Sequence, residues 1–412
     1  MTSRKPSQAP AVVMGLSPTG LHVVRTLGRA GVTVIGVGSD QECGGYSRFL
    51  SRMIRFRSHE VLLDEMVSYG AKANAASFVK PVLLPTSDQH VEFVMDNAMA
   101  LGKHFAMQAS YRSGLAREIL AKDIFYKHCA RLGVAYPRTW QGEYKQLAGR
   151  LSEIEFPCLI KPVLIHKVKS QMKGRKVWIA RHDRELLDIL HRIPAGAGSM
   201  LVQEIVPGPE SDIALYCAHV DSEGESRQAF TGRKLRQFPP GFGSASLVQG
   251  APDPELARVS QRLLAGLGYT GIAALEFKRN QRTGELVVIE MNPRTSLWFS
   301  LSEASGRSVV LSAYRELAGA SDVLVETPQI DGIRWRDAPR DIASAAFYRI
   351  KRDFVLPPPD IRTVGSAVSR INAVFDMHDP QPAWREALLK LRKGFCRVFP
   401  SRRSRNLPDV RA

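Results

Sequence analysis

Apolar positions recur along this chain with two different periods. Short unbroken runs, AVVM at residues 11–14, VTVIGV at 32–37, VLL at 82–84 and CLI at 158–160, predict buried strands. Residues 21–30, 90–101, 115–132 and 183–192 instead place apolar side chains every third or fourth position, which predicts helices. The first strand, a GLSPTG turn, a helix and a second strand follow one another within residues 11–37, so a parallel sheet is expected there. A different pattern lies at residues 272–278 and 285–291, two mostly apolar strands joined by a polar turn that ends at Gly284. Near the end, Trp384, Leu388, Leu391, Phe395 and Val398 return to helical spacing.

The hairpin interrupts its own pattern. Each strand carries one acid, Glu276 and Glu290, where a buried or half-buried residue is otherwise expected. Placed opposite each other they put the turn centre at Thr283, and Asn292 then points to the same face. Like charges facing across a ladder destabilise it, so a cation between them is expected. Two carboxylates and an amide oxygen suit a hard ion, Mg²⁺ before Zn²⁺. A hairpin with both acids solvated at its outer face is the alternative.

Length and composition narrow the class. At 412 residues, two or three domains are expected. Five scattered cysteines, without CxxC or finger spacing, argue against a disulfide framework or a structural zinc and point to the reducing cytosol. The polar N-terminal segment does not read as a signal peptide, and no run of about 18 apolar residues occurs. A formal charge of +17 calls for an anionic partner, but no nucleic-acid-binding signature accompanies it, so nucleic acid is a weak candidate.

Several upstream pieces carry chemistry. Gly15 and Gly20 fit neither G-x-G-x-x-G nor a Walker loop and read as a tight turn at a sheet edge. Asp88, after PVLLPTS, is expected to cap the next helix, with facing a ligand at the sheet edge as the alternative. Lys122 falls in the middle of the 115–132 helix. Lys161 closes a buried strand before Pro162, where an ammonium is costly unless an anion meets it. Residues 166–176 gather Lys167, Lys169, Lys173, Arg175 and Lys176 around a single Gly174, a basic loop suited to phosphates. The strand SMLVQEIV then runs through Glu204, Ile205 and Val206 to a Pro-Gly-Pro turn and Glu210. Along TGRKLRQF, Lys234 is expected to face opposite to Arg233 and Arg236.

Taken as an ordered series, Lys122, Lys161 in LIKP, QEIVPGPE, Glu276 and Glu290-Met-Asn292 with Arg294 resemble the ATP-grasp superfamily, most closely its carboxylate-amine ligase branch. The resemblance implies an α/β fold of the α+β ATP-grasp kind. A Rossmann-like domain at residues 1–110 would precede a two-subdomain ATP-grasp domain at 111–325, with its lid at about 135–205. A C-terminal extension at 326–412 would carry the basic amphipathic tail. The resemblance further implies ATP and Mg²⁺ as cofactors, with Mn²⁺ as a substitute. Lys122, Lys161 and Lys173 would contact the nucleotide phosphates, Glu204 to Val206 the adenine, and Glu210 the ribose. Glu276, Glu290 and Asn292 would be the metal ligands. Arg294 would hold a substrate carboxylate or acyl phosphate, and Lys234 would reach substrate or phosphate. The single glycine of the 166–176 loop departs from the glycine-rich form common in the superfamily.

The implied reaction turns a carboxylate into an acyl phosphate, which an amine then displaces to give an amide, with positioning and charge neutralisation supplying the catalysis. Its partners are a small carboxylate and a small amine, and the expected compartment is the cytoplasm. Two alternatives share the motifs, a related enzyme with a non-amine acceptor and a nucleotide-binding protein without turnover at a membrane surface. Retention of three metal ligands favours turnover. The tail, residues 384–405, is expected to dock on its own protein through the apolar stripe, with an anionic membrane at the inner surface as the alternative. No motif specifies the acid, the amine or an oligomeric state.

Overall fold

The structure is a computed structural model and describes residues 8–55, 59–77, 79–163, 177–193, 199–320, 324–351 and 354–398. Its N-terminal strands are β1 (Ala11–Met14), β2 (Val34–Gly38), β3 (Leu50–Arg55) and β4 (Val82–Pro85), a parallel sheet in the order β3-β2-β1-β4. The first turn needs its glycines. Gly15 has φ +87°, and a Cβ on Gly20 would lie 1.8 Å from the Gly15 carbonyl oxygen, so the helix Pro18–Arg29 starts directly at the sheet edge.

Four antiparallel strands follow, β5 (Thr139–Gly142), β6 (Cys158–Pro162), β7 (Trp178–Ala180) and β8 (Met200–Glu204), in the order β5-β8-β6-β7. The apolar face of the helix Asp183–Arg192 covers them through Leu186 and Leu190. The largest sheet has seven strands. They are β9 (Ile213–Val220), β10 (Ser226–Phe238), β11 (Ser244–Gly250), β12 (Gly271–Arg279), β13 (Leu286–Asn292), β14 (Ile333–Arg336) and β15 (Ser369–Asn372), ordered β13-β12-β9-β10-β11-β14-β15. One face of it, with Leu215, Cys217 and Ala274, shares a core with Ala11, Val13 and Leu21 of the N-terminal unit. The other face packs on the helix Pro254–Gly266 through Leu256, Leu263 and Leu264. β14 and β15 come from the expected C-terminal extension and continue this sheet beyond β11.

Asp341, fully buried on the helix Ala338–Ile350, ties that helix to the sheet. It accepts two hydrogen bonds from Arg236, at 2.6 and 3.0 Å, and one from Arg336 at 2.6 Å. Removing one member of a buried charge network leaves the others uncompensated. Asp341→Ala is expected to lower the unfolding free energy by about 3 kcal/mol in a urea titration. Arg336→Ala, whose side chain is 42% exposed, should cost under about 1 kcal/mol.

Three sequence expectations change at this level. The helix expected over residues 115–132 is two, Leu115–Leu120 and Lys122–Arg131, because Ala121 adopts an extended conformation at φ −83°, ψ 99°. Lys122 is therefore the first residue of a helix and not its middle. Asp88 is not the cap of the helix Asp88–Asp96: the Ser87 side chain accepts from the His90 N–H, which frees the Asp88 carboxylate. The tail helix Gln381–Val398 does rest on the protein, but not by its apolar stripe. Pro382, Ala383, Glu386 and Leu389 turn inward while Trp384, Leu388 and Leu391 are exposed.

Candidate active site

The hairpin of β12 and β13 sets Glu276 directly opposite Glu290, with Asn292 opposite Ala274 on the same face. The turn is not centred where strict pairing puts it. A bulge at Ile289 pairs Phe277 with Val288, so the turn centres between Arg282 and Thr283. The Ile289 carbonyl accepts a 2.9 Å hydrogen bond from the Tyr126 hydroxyl. That bond carries the helix Lys122–Arg131 against the hairpin and brings Lys122 Nζ to 3.3 Å from Glu290.

Each acid faces a lysine. Lys234 Nζ lies 2.5 Å from Glu276. Lys234 was expected to touch substrate or phosphate; its side chain is fully buried and its ammonium is paired with Glu276. It does face away from Arg233 and Arg236. Strict alternation would have put Arg236 beside Lys234, and the irregularity between Lys234 and Arg236 reverses this. Desolvation pushes the Glu290 carboxyl up, but Lys122, Arg294 and Lys161 outweigh it and hold the group well below the ordinary carboxylate range. Burial likewise depresses Lys122, and Glu290 overrides it, so its pKa is raised. Both Glu290 and Lys122 stay charged across the physiological range.

Lys161 is different. Its Nζ donates to the neutral Gln203 oxygen at 2.6 Å, and burial, reinforced by Lys122, holds its pKa well below the ordinary lysine value. Gln203 donates in turn to Tyr126 and Thr139, at 3.0 and 2.9 Å. The chain Lys161, Gln203, Tyr126, Ile289 thus connects the small sheet to the bulge beside Glu290.

The segment after β8 is braced from below. Lys278 donates to the carbonyls of Val206 and Gly208 at 2.8 and 2.7 Å, and burial pushes its pKa down to about 8. Glu204 accepts from the Arg138 N–H and Nε at 3.2 and 3.4 Å. Ile205 joins the two and is half-buried.

Glu210 does not take the ribose-contacting position expected of it. It is fully buried, and its two oxygens accept from the backbone N–H groups of Gln237 and Gly241 at 3.2 and 2.8 Å. A carboxylate so placed fixes the Pro/Gly loop after β10 and has no face open to a ligand. Arg294 is also engaged. Its Nε and Nη2 lie 2.7 and 2.6 Å from one oxygen of Asp88, Nη2 donates to the Asn292 oxygen at 2.9 Å, and Nη1 donates to the Thr295 carbonyl. Asn292, expected as a free ligand, shares its oxygen with this guanidinium. Lys173 lies outside the described residues.

Residues that pattern reading missed hold this arrangement. Gln108 and Tyr111 both donate to the Pro293 carbonyl, at 3.0 and 2.8 Å, fixing the turn between Asn292 and Arg294. Gly271, at φ +113°, is what lets Gln108 approach, since a Cβ there would lie 2.6 Å from its side chain. Lys278 alone left a trace in the sequence, as a cation on an apolar strand two residues after Glu276.

Among the described residues no group of three or more His, Cys, Asp or Glu side chains could enclose a metal ion. Mg²⁺ does not need one. It is commonly held by one or two carboxylates, with phosphate oxygens and waters filling the octahedron, and the facing Glu276 and Glu290 fit that demand.

No protein-family model matches the chain. A curated relative, the D-aspartate ligase of Enterococcus faecium, is 27% identical over 249 residues, which is 58% of this chain. The match spans 59% of that protein's length. Among solved structures, the biotin carboxylase domain of Hydrogenobacter thermophilus 2-oxoglutarate carboxylase, in complex with MgADP, ADP and bicarbonate, is similar with a TM-score of 0.60 at 14% identity. It is matched over 80% of this chain and 74% of that one. The L-amino acid ligase of Bacillus licheniformis is similar with a TM-score of 0.56 at 14% identity, over 76% and 75% of the two chains. With the sheet order described above, these likenesses show that the chain has the ATP-grasp fold.

Proposed function

We propose that the protein is an ATP- and Mg²⁺-dependent carboxylate-amine ligase that forms an acyl phosphate and releases ADP, with Mn²⁺ as a substitute metal. The observation that carries this reading is the facing pair Glu276 and Glu290, reached by Lys122 from a helix start and lying near Lys161 from another sheet. Such a site gathers carboxylates that suit a hard cation beside ammonium groups that suit phosphate oxygens.

In this reading Glu276 and Glu290 hold Mg²⁺, with Asn292 as a third ligand through an oxygen shared with Arg294. The metal, when bound, offsets charge on the phosphates and the attacking carboxylate. Lys122 and Lys161 neutralise phosphate oxygens. The peptide groups of Glu204, Ile205 and Val206 meet the adenine edge, held flat by Lys278 beneath them. Arg294 takes the substrate carboxylate or the acyl phosphate once it exchanges Asp88 for that anion. Lys173 and its neighbours cover the phosphates from the 166–176 loop. None of these residues forms a covalent bond to substrate; they orient the acid, spread the charge and exclude water.

The named activity of the curated relative supports an amino acid, D-aspartate first, as one substrate. Incubation with MgATP, D-aspartate and a pool of amines is expected to yield an amide whose mass is the sum of acid and amine less one water, with one ADP and one phosphate per product. Mass spectrometry checks this. ADP formation with an ester or thioester product would instead favour a non-amine acceptor.

A further inference from the structure

We infer that the outer face of the C-terminal helix, with the segment leading into it, is a docking surface for an anionic lipid bilayer. The helix Gln381–Val398 is amphipathic twice over. Its inner side, Pro382, Ala383, Glu386 and Leu389, rests on the N-terminal unit. Its outer side carries Trp384, Leu388 and Leu391 at positions i, i+4 and i+7, which are 71%, 51% and 69% exposed. The preceding segment adds Phe375 and Met377, both exposed. Monomeric soluble proteins rarely leave so many large apolar side chains uncovered in one short stretch.

This helix is not a loose tail. Asp379, fully buried, accepts from Arg25 Nε at 3.0 Å, the Ser47 hydroxyl at 2.6 Å and the Arg48 N–H at 2.9 Å. Arg25 also donates to the carbonyls of Val374 and Asp379, each at 2.8 Å. The Arg385 guanidinium stacks 4.4 Å from the Tyr46 ring centre. These contacts hold the start of the helix in one orientation, with the apolar stripe turned outward.

Charge selects the occupant. From residue 384 to its end at Val398 the helix contains five lysines and arginines and one acid, Glu386. That acid faces Lys390 at 2.8 Å. A second copy of this chain would bring the same positive charge against itself, whereas an anionic bilayer accepts both the cations and the apolar stripe. A tryptophan at the rim of such a face suits the headgroup level, where its ring is buried and its N–H remains wet. No helix among the described residues is long and apolar enough to cross a membrane, so the contact is peripheral.

The test uses the full-length protein and vesicles of phosphatidylcholine with or without 40% phosphatidylglycerol, a composition chosen on the order of cytoplasmic-leaflet charge. Wild type should sediment with the phosphatidylglycerol vesicles, bind pure phosphatidylcholine at least about tenfold more weakly, and show a blue shift of tryptophan emission on binding. The double variant Trp384→Asp, Leu388→Asp alters exposed side chains only. It should lose at least about tenfold in vesicle affinity while its thermal unfolding and ATP binding stay as in wild type. Wild type remaining in the supernatant with phosphatidylglycerol vesicles would overturn the inference. So would equal binding by wild type and the variant. A wild-type dimer that the variant converts to monomer, without vesicle binding by either, would assign the stripe to a second copy instead.

Discussion

Replacing Glu290 with Gln should reduce ADP release by at least about 100-fold while leaving the fold intact. The substitution keeps the shape and removes one charge from a ladder pair whose other member, Glu276, is tied to Lys234. Of the two acids, Glu290 is the more open, with 41% of its side chain exposed, and it is held ionised by Lys122, Arg294 and Lys161. Neutralising it leaves those three cations facing the nucleotide without their counter-charge. ATP without Mg²⁺ should therefore bind at least as tightly as to wild type, and the loss should appear in turnover and in the Mg²⁺ dependence of binding. Calorimetry of ATP with and without Mg²⁺, beside the ADP assay, separates the two effects. Equal loss of metal-free ATP binding would mean that the substitution had damaged the site itself.

Lys161→Met should weaken ATP binding on the order of 50-fold near neutral pH, the range for losing a hydrogen-bonded charge in a buried site. The pH dependence identifies the cause. In the free protein, burial and Lys122 hold the Lys161 pKa well below its ordinary value, whereas phosphates beside it favour the ammonium. Above the free-state pKa the lysine is neutral before ATP binds and must take up a proton on binding. Wild-type affinity should therefore be constant below that pKa and fall as pH rises through it, by up to about tenfold per unit. Calorimetry in buffers of different ionisation enthalpy should register the proton uptake. The methionine variant should show neither the fall nor the uptake, and a variant with the wild-type pH profile would remove Lys161 from the phosphate site.

The sequence revealed most about this protein where a polar residue broke a periodic apolar pattern. Glu276 and Glu290 stood out because each replaced a residue the strand would otherwise bury; period-two geometry puts both on one face, and the structure sets them directly opposite each other. Lys161 stood out for the same reason. What stayed hidden depended on single backbone residues or on partners far away in the chain. The extended Ala121 leaves both flanking helices with unbroken apolar spacing, so nothing in their pattern marks the point where Lys122 becomes a helix start. The expected facing of Arg236 away from Lys234 is reached only through the irregularity after Lys234, which no side chain announces. Asp88 was expected as a cap, but Ser87 takes that role through the His90 N–H, and the Asp88 carboxylate instead meets Arg294, 206 residues away. Glu210 was expected at the ribose because the resemblance places an acid after the QEIVPGPE hinge there. Its burial depends on the Gln237 to Gly241 segment folding over it. In the tail, helical spacing identified an apolar stripe, but its orientation was set by Asp379 and Arg25, outside the helix.

The central claim is that facing carboxylates and converging lysines make this chain a ligase and not a silent nucleotide-binding protein. Its most direct test is ADP release by the wild type with MgATP, measured with and without a pool of amino acids that includes D-aspartate, using Glu290→Gln as the background. The account predicts that the pool raises wild-type ADP release at least about tenfold over the pool-free rate, and that the variant shows no such rise. Tight ATP binding by the wild type, with ADP release no greater in the presence of the pool than in its absence, would contradict it.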